Sequence, residues 1–183
     1  MKKYKNDILF IIVFFFIFIA FLILKPFSFT IIKGESMYPT LKNRDIKMII
    51  NKKDYKVGDI ITFYPLEEWD KDNKKIYIKR IIAHSGDTVE IKDNTLYVND
   101  IKFIQLSPYY RTKGTDMEFD IKEGYNFVVG DNLGNSKDSL NYLMQNNFET
   151  DFLIPDKNII GVLKEDSKIK EIDDYVKTYN KQE

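Results

Sequence analysis

One segment constrains this chain more than any other: residues 8–24 read ILFIIVFFFIFIAFLIL, an apolar run of 17 residues without a charge. As an α-helix at about 1.5 Å per residue, the run would span roughly 25 Å, enough for a bilayer core of about 30 Å with local thinning. A cleaved leader normally ends in small residues, whereas this run continues as KPFSF. We therefore expect an uncleaved transmembrane anchor over residues 8–24; a cleaved leader and a buried core helix are the alternatives.

The orientation of this anchor is only weakly marked by charge. Three lysines precede the run, and four basic residues follow it by residue 44. Long domains, however, are translocated largely regardless of charge. We expect a single-pass protein of the cell membrane, with residues 1–7 in the cytoplasm, the lipid bilayer around residues 8–24, and residues 25–183 as one extracytoplasmic domain.

The composition excludes several kinds of chemistry. The chain has no cysteine, a single histidine at His84, and 28 basic against 28 acidic residues. Disulfides, a thiolate nucleophile and a multi-histidine metal centre are therefore impossible, and we expect no metal and no cofactor. Zero formal charge argues against a nucleic-acid partner. Catalysis would have to use Ser, Thr, Lys, Asp, Glu or Tyr, with His84 as the sole imidazole.

The domain after the anchor has the pattern of a mainly antiparallel β-sheet fold. Short runs rich in β-branched and aromatic residues alternate with turn-forming residues. Tight turns are expected at Asp93-Asn94 and Asn99-Asp100, and a solvated loop at residues 67–75. Helical patterns are weak, at residues 140–149 and in the tail after Lys164. The predicted strands are FSFTII, IKMII, DIITFY, IYIKRIIA, DTVEIK, TLYV, IKFIQL and YNFVV.

Three short segments could carry chemistry, although each has an ordinary structural interpretation. Ser36 lies in GESMYPTL, where it could be a simple turn serine. Lys79 and Arg80 are adjacent in YIKRII, so strand alternation points one of them toward the buried side, unless Lys79 extends to water from an edge strand. Residues 128–140 form a loop rich in Gly, Asp, Asn and Ser whose spacing does not match a calcium-binding EF-hand.

Together and in this order, these segments resemble the bacterial type I signal peptidases. These are membrane-anchored serine proteases that remove signal peptides from exported preproteins. The similarity extends from residue 8 to about residue 162, and it implies an antiparallel β-sheet catalytic domain behind one N-terminal transmembrane helix. The matching segments are GESMYPTL (34–41), GDIITFY (58–64), YIKRIIAHSGD (77–87), GDNLGNSKDS (130–139) and IPDKNIIG (154–161).

The resemblance assigns roles to individual residues. Ser36 would be the nucleophile and Lys79 the general base, which requires that burial lower the lysine pKa from about 10.4. Ser136 would hydrogen-bond the lysine amine. Asp131 and Asp138 would brace the loop, with Arg80 as the partner of Asp131.

The resemblance also implies how a signal peptide would bind. It would add as an extended strand along residues 30–33 and 76–78. The family's preference for small residues before the cut implies shallow apolar pockets, which we assign to Ile32, Met37, Tyr77 and Ile78.

Several positions depart from the family pattern. Gly34 stands where some relatives carry a serine that helps to hold the oxyanion, and Leu133 and Leu140 stand where arginine is common. His84, five residues after Lys79, is expected to be a solvated turn residue on the other strand face. The alternative functions are an inactive or specialised relative that assembles or processes surface proteins such as pilins, and a self-cleaving repressor, for which no DNA-binding domain is visible.

Overall fold

The N-terminal apolar run is helical. The structure, a computed structural model, describes residues 2–24, 27–51, 54–70, 75–106, 116–146 and 151–182. Helix α1 covers Lys2–Leu24, so it begins before the apolar run of residues 8–24. Its window Asn6–Ile23 is long and apolar enough to cross a membrane, and none of that window is buried against the rest of the chain. This exposure disagrees with a buried core helix.

The remaining described residues form mainly antiparallel β structure, as the sequence predicts. All eight predicted strands are present, with ends shifted by a residue or two. The prediction missed three others, because β8 is short and partly exposed and β10 and β11 lie next to helical turns. The elements are β1 Phe27–Ile31, β2 Ile46–Ile50, β3 Ile60–Phe63, β4 Tyr77–His84, β5 Thr88–Lys92, β6 Thr95–Val98, β7 Ile101–Gln105, β8 Met117–Asp120, β9 Tyr125–Val129, α2 Ser139–Asn146, β10 Ile154–Pro155, β11 Ile159–Leu163 and α3 Lys170–Tyr179.

Among the described residues, the strands form two antiparallel sheets. The larger sheet has the order β1-β2-β11-β3-β4-β9-β10, and the smaller one has the order β7-β6-β5-β8. Strand β4 is therefore internal, with β3 on one side and β9 on the other. Its pairing with β9 starts only at Arg80, opposite Val129. Residues 77–79 pair with β3 alone, which leaves their other edge without a strand partner in the described structure.

The smaller sheet contains the two predicted tight turns. Asp93 and Asn94 join β5 to β6, and Asn99 and Asp100 join β6 to β7. All four have positive φ, which Asn and Asp tolerate better than most residues and which two-residue hairpin turns of type I′ require. The turn chemistry thus fixes the register of this meander.

Both faces of β4 are covered, which corrects the expectation that only one of its two basic residues is buried. The main apolar core lies between the strands and helices and includes Ile61, Ile81 and Phe127. Lys79 pairs with Ile61 of this core, and Arg80 pairs with Ile60. Ile60 belongs to a second apolar cluster, with Ile32, Met37, Leu41 and Leu163. Lys79 is 4% exposed and Arg80 is 1% exposed.

The helical patterns are confirmed in part, and the loop at residues 67–75 is not simply solvated. Helix α2 covers the start of the predicted 140–149 helix, and residues 147–150 lie outside the described residues. Trp69 is buried and stacks on Tyr142, with ring centroids 4.7 Å apart. The prediction of a solvated loop is therefore wrong at Trp69, because helix α2 provides an aromatic partner for this side chain. Residues 71–74 of the loop lie outside the described residues.

Candidate active site

The loop that carries Ser36 is fixed at both ends by burial and by hydrogen bonds. Met37 and Leu41 insert into the second apolar cluster, and the Leu41 amide donates to the Met37 carbonyl at 2.9 Å. The Ser36 carbonyl accepts from the Asn132 amide at 2.9 Å, and the Asn132 side chain donates to the Glu35 carbonyl at 3.0 Å. These contacts hold the partly exposed Ser36 against the loop that follows β9.

Lys79 extends from β4 to Ser36. Its Nζ donates to Ser36 Oγ at 2.8 Å and to the Ile78 carbonyl at 2.9 Å. Burial lowers the pKa of Lys79 from 10.5 to about 8, and the charges of Asp138 and Asp131 counteract part of that shift. A substantial fraction of this lysine is therefore neutral just above neutral pH, when it can accept a proton from the serine hydroxyl.

Tyr77 forms an aromatic wall beside the lysine. The centroid of its ring lies 5.6 Å from Lys79 Nζ. The ring also packs on Phe63 and Trp69, at 6.1 and 6.2 Å between centroids, and burial raises the pKa of its hydroxyl. This packing limits the access of water to the lysine amine from one side.

The expected pairing of Arg80 with Asp131 is present. Arg80 Nε and Nη2 donate to the two oxygens of Asp131 at 2.9 and 2.8 Å, and both side chains are almost fully buried. The Thr40 hydroxyl also donates to this carboxylate. The remaining Arg80 nitrogen, Nη1, donates to the Gly58 carbonyl at 2.5 Å and to the Glu165 carbonyl at 3.1 Å. A bidentate pair with these further bonds is the form in which a buried ion pair is tolerated.

Asp138 is buried without the arginine that the family pattern would supply. Its carboxylate instead accepts from the backbone amides of Gly130 and Asn141, each at 2.9 Å. The second bond places it at the start of α2, where a carboxylate is favourable. Burial raises the pKa of Asp138, and these backbone donors oppose the shift. Asp138 thus braces the loop through the backbone.

The predicted hydrogen bond from Ser136 to the lysine is not formed. Lys79 Nζ points to Ser36 and to the Ile78 carbonyl, and Ser136 Oγ is buried beside Asp138 without a well-formed hydrogen bond among the described residues. Ser136 packs over Gly130 instead, so close that a Cβ added at Gly130 would lie 2.2 Å from its hydroxyl. In this arrangement Ser136 makes no hydrogen bond to Lys79.

Gly130 permits the close approach of the two loops. A Cβ added at this position would also lie 2.5 Å from the Ser36 carbonyl oxygen, nearer than real Cβ contacts come. The glycine therefore allows the Ser36 loop to lie directly on the backbone after β9, next to the Asn132 amide that binds the same carbonyl.

A cleft of about 580 Å³ opens in front of Ser36 and Lys79. It lies along the two segments predicted to bind an extended peptide. All four residues predicted to form pockets line the cleft: Ile32 and Met37 are buried, and Tyr77 and Ile78 are half-buried. The cleft is lined by residues 30–37 and 75–79, together with Asn135 and Lys137.

His84 is separate from this cleft. It is the last residue of β4 and lines another cleft, of about 320 Å³, with Asp87 and Tyr179 among its neighbours. Its ring packs against Tyr179, with centroids 6.1 Å apart, and its Nδ1 lies 3.1 Å from the Ser85 carbonyl. The prediction of a turn residue is wrong, because His84 belongs to β4, whereas its side chain remains 31% exposed with Tyr179 of α3 packed beside it.

Sequence reasoning missed two residues of the site, Thr40 and Asn132. Thr40 is fully buried and bonds to Asp131, and Asn132 binds the Ser36 loop. The sequence signal that could have identified Thr40 is its place between Met37 and Leu41, two apolar residues of the segment that carries Ser36. In the part of the chain that the structure describes, no group of three or more acidic or histidine side chains is arranged to hold a metal ion.

Comparison with protein families gives one match over most of the chain. The family model described as signal peptidase, peptidase S26, matches residues 5–165.

Two relatives agree with this match in sequence. A signal peptidase I of Bacillus amyloliquefaciens is 32% identical, over 78% of this chain and 76% of the relative. Signal peptidase I U of Bacillus subtilis (strain 168) is 34% identical, over 64% of this chain and 65% of the relative, just under two thirds. A solved structure of a signal peptidase I from Enterococcus faecalis V583 is 27% identical, over 61% of this chain and 97% of that chain, with a TM-score of 0.41.

Proposed function

The chain belongs to the signal peptidase family, peptidase S26, and we propose that it is a membrane-anchored serine endopeptidase that removes N-terminal signal peptides from exported preproteins. In this proposal Ser36 is the nucleophile and Lys79 is the general base. The single observation that carries the proposal is the 2.8 Å contact between Lys79 Nζ and Ser36 Oγ at the edge of an open cleft.

In the proposed reaction Lys79 carries a proton in both the acylation and the deacylation step. Ser36 Oγ attacks the carbonyl carbon of the scissile bond while neutral Lys79 takes the hydroxyl proton. The resulting ammonium gives this proton to the departing amine, which leaves the signal peptide esterified to Ser36. Neutral Lys79 then removes a proton from a water molecule that attacks the ester. Collapse of that intermediate transfers the proton from Lys79 to Ser36 Oγ and releases the signal peptide as a carboxylic acid, which loses its remaining proton to solvent.

The oxyanion of each intermediate needs hydrogen-bond donors. The Ser36 backbone amide makes no hydrogen bond to any residue that the structure describes, so it is available for this role. Gly34 offers no hydroxyl as a second donor, and a lost donor costs about 10²–10³ in rate in a well-studied serine protease. We expect a group of the substrate or a bound water to complete the hole.

Substrate would bind as an added strand, as the sequence already predicts. The support is the free edge of residues 77–79, which pair with β3 but not with β9. Main-chain hydrogen bonds at such an edge would bind an extended peptide regardless of sequence, and nearby pockets would select side chains. Ile32 and Met37 are buried side chains in the wall of the cleft beside Ser36, so they would form shallow apolar pockets that accept small side chains before the cut.

We further propose that α1 anchors the protein in a single pass, with residues 1–7 cytoplasmic and residues 25–183 outside. The apolar surface continues from α1 onto the hairpin of β1 and β2, where large apolar side chains are exposed. A domain with such a surface would lie against the bilayer, where signal peptides emerge. The exposed side chains of the hairpin are those of Phe27, Phe29, Ile31, Ile46 and Met48.

The test is cleavage of a preprotein by the purified full-length chain in detergent or vesicles, beside its Ser36→Ala variant. We expect wild type to release the mature protein and Ser36→Ala to release none while keeping a wild-type circular dichroism spectrum. An inactive wild type that still binds preproteins would instead favour the assembly-factor alternative. Equal cleavage by both chains would place the nucleophile elsewhere.

A further inference from the structure

The chain continues past β11 into a further segment that contains helix α3. Residues 164–179, here called the C-terminal strap, run from the end of β11 to the end of α3. The family match ends at residue 165, so almost all of the strap lies beyond it. The strap contributes no residue to the lining of the cleft in front of Ser36.

The first half of the strap binds the buried ion pair behind the site. The Glu165 carbonyl accepts from Arg80 Nη1 at 3.1 Å, and Ser167 Oγ donates to Asp131 at 3.4 Å. The Lys168 amide donates to Thr40 Oγ1 at 3.2 Å, and Thr40 in turn donates to Asp131. The strap thus reaches the Asp131 carboxylate both directly and through Thr40.

The second half of the strap binds the strand that carries Lys79. The Tyr175 hydroxyl donates to the Ile82 carbonyl of β4. Val176 packs so tightly on Gly58 that a Cβ added there would lie 2.5 Å from its Cγ1. The carbonyl of this glycine accepts from Arg80. At the end of the strap, the Tyr179 hydroxyl donates to the two oxygens of the buried Asp87 carboxylate at 2.7 and 2.9 Å.

These contacts join the two halves of the Ser36–Lys79 pair. Arg80 is the chain neighbour of Lys79. Asp131 is the chain neighbour of Asn132, which binds the Ser36 loop through its amide and its side chain. A shift of Asp131 relative to Arg80 would therefore change the distance between the serine hydroxyl and the lysine amine. Misplacement of reacting groups by about 1 Å can cost on the order of 100-fold in rate.

We propose that the C-terminal strap is a positioning element for Ser36 and Lys79. Thr40 and Ser167 act as positioning residues through the Arg80–Asp131 ion pair. This inference rests on the proposed function. Because the strap lies outside the cleft, it acts on the chemical step and leaves substrate binding unchanged.

The test compares hydroxyl deletions that preserve shape. Thr40→Val removes the hydroxyl that joins the strap to Asp131, and Thr40→Ser restores it. The double variant Ser167→Ala/Tyr175→Phe removes two hydroxyls of the strap itself. Lys177→Ala is the matched control, since Lys177 lies on α3 and its exposed ion pair with Asp173 does not touch the network. For each full-length chain, kcat and KM for preprotein cleavage are measured, with amide hydrogen exchange at Asn132 and the thermal midpoint.

We expect Thr40→Val to lower kcat about 10-fold with KM within about twofold of wild type, and Thr40→Ser to recover most of the loss. The double variant should lower kcat severalfold, and Lys177→Ala should match wild type. Exchange at Asn132 should accelerate in Thr40→Val more than the change in thermal midpoint accounts for. Unchanged kcat in Thr40→Val and in the double variant, beside an active wild type, would overturn the positioning role and leave the proposed function standing. An inactive wild type would overturn the proposed function. In that case, equal amide exchange at Asn132 in wild type and Thr40→Val would reject the positioning role as well.

Discussion

Lys79 and Arg80 are consecutive residues of one buried strand, yet only Arg80 has a carboxylate partner among the described residues. Arg80 donates to both oxygens of Asp131, whereas Lys79 donates to the Ser36 hydroxyl and the Ile78 carbonyl, which carry no charge. The charge of Arg80 is therefore compensated, while that of Lys79 is destabilised by burial. One strand thus provides a fixed cation for structure and a lysine that can act as a base.

This difference predicts that Lys79 lowers the stability of the fold. Its pKa is about 8 in the folded protein against 10.5 for an ordinary lysine. The unfolded chain binds more protons between these two values, so stability rises with pH across that window and is lowest below pH 8. The shift corresponds to roughly 3 kcal/mol at neutral pH, reduced by the hydrogen bonds that the amine makes.

We therefore expect Lys79→Met to raise the free energy of unfolding at pH 7 by about 1–2 kcal/mol, measured by urea titration of the detergent-solubilised chain. Toward pH 10 the difference from wild type should shrink, because the lysine is then neutral in the folded protein and the unfolded chain has begun to lose the same proton. A Lys79→Met chain that is less stable than wild type at pH 7 would contradict the buried, unpaired state of this amine.

A second prediction concerns the contact between the two loops of the site. Gly130→Ala should lower kcat by at least about 100-fold, because the new methyl group would push the Ser36 carbonyl and the Ser136 side chain apart. Gly134→Ala is the matched control in the same loop, since a Cβ there meets nothing within 4 Å. Steady-state cleavage kinetics on both chains decide the matter. Similar rates for the two variants would mean that the close approach at Gly130 is not required.

A third prediction uses the charge of Asp138. That charge raises the pKa of Lys79, in opposition to burial. Asp138→Asn should therefore move the acid limb of the pH–rate profile to lower pH, because the neutral form of Lys79 is then populated at lower pH. The amide keeps only one acceptor oxygen, so one of the two backbone bonds of Asp138 is lost and stability falls. The midpoint of the limb is therefore compared rather than the rate. Glu118→Gln, an exposed carboxylate on the smaller sheet, should leave the midpoint unchanged; equal midpoints for all three chains would reject the coupling of Asp138 to the lysine.

Local chemistry made much of the fold predictable. Apolar length predicted the helix over residues 8–24, and the Asp-Asn and Asn-Asp pairs predicted the turns of the meander. The motif order predicted that Ser36 and Lys79 meet, although they are 43 residues apart. For the helix and the turns a few neighbouring residues determine the outcome, whereas the meeting of Ser36 and Lys79 was implied by the resemblance to a family.

The errors came from long-range packing. Strand alternation treats the two faces of β4 as buried and exposed, and cannot show that a second cluster and the strap cover the face of Arg80. Ser136 was assigned to the lysine by resemblance, but its position depends on how closely it packs over Gly130. Thr40 went unrecognised because its partners, Asp131 and Lys168, are distant in sequence.

The identity of the base is the centre of this account, and the pH dependence of cleavage tests it most directly. The measurement is kcat from about pH 6 to about pH 10, a window that includes the unperturbed pKa of histidine and approaches that of lysine, for wild type, His84→Ala and Lys79→Met. We predict a rate that rises through a pKa of about 8, is nearly unchanged in His84→Ala, and is lost in Lys79→Met. A profile governed by a group near 6.5 and abolished by His84→Ala would contradict the assignment of Lys79 as the base.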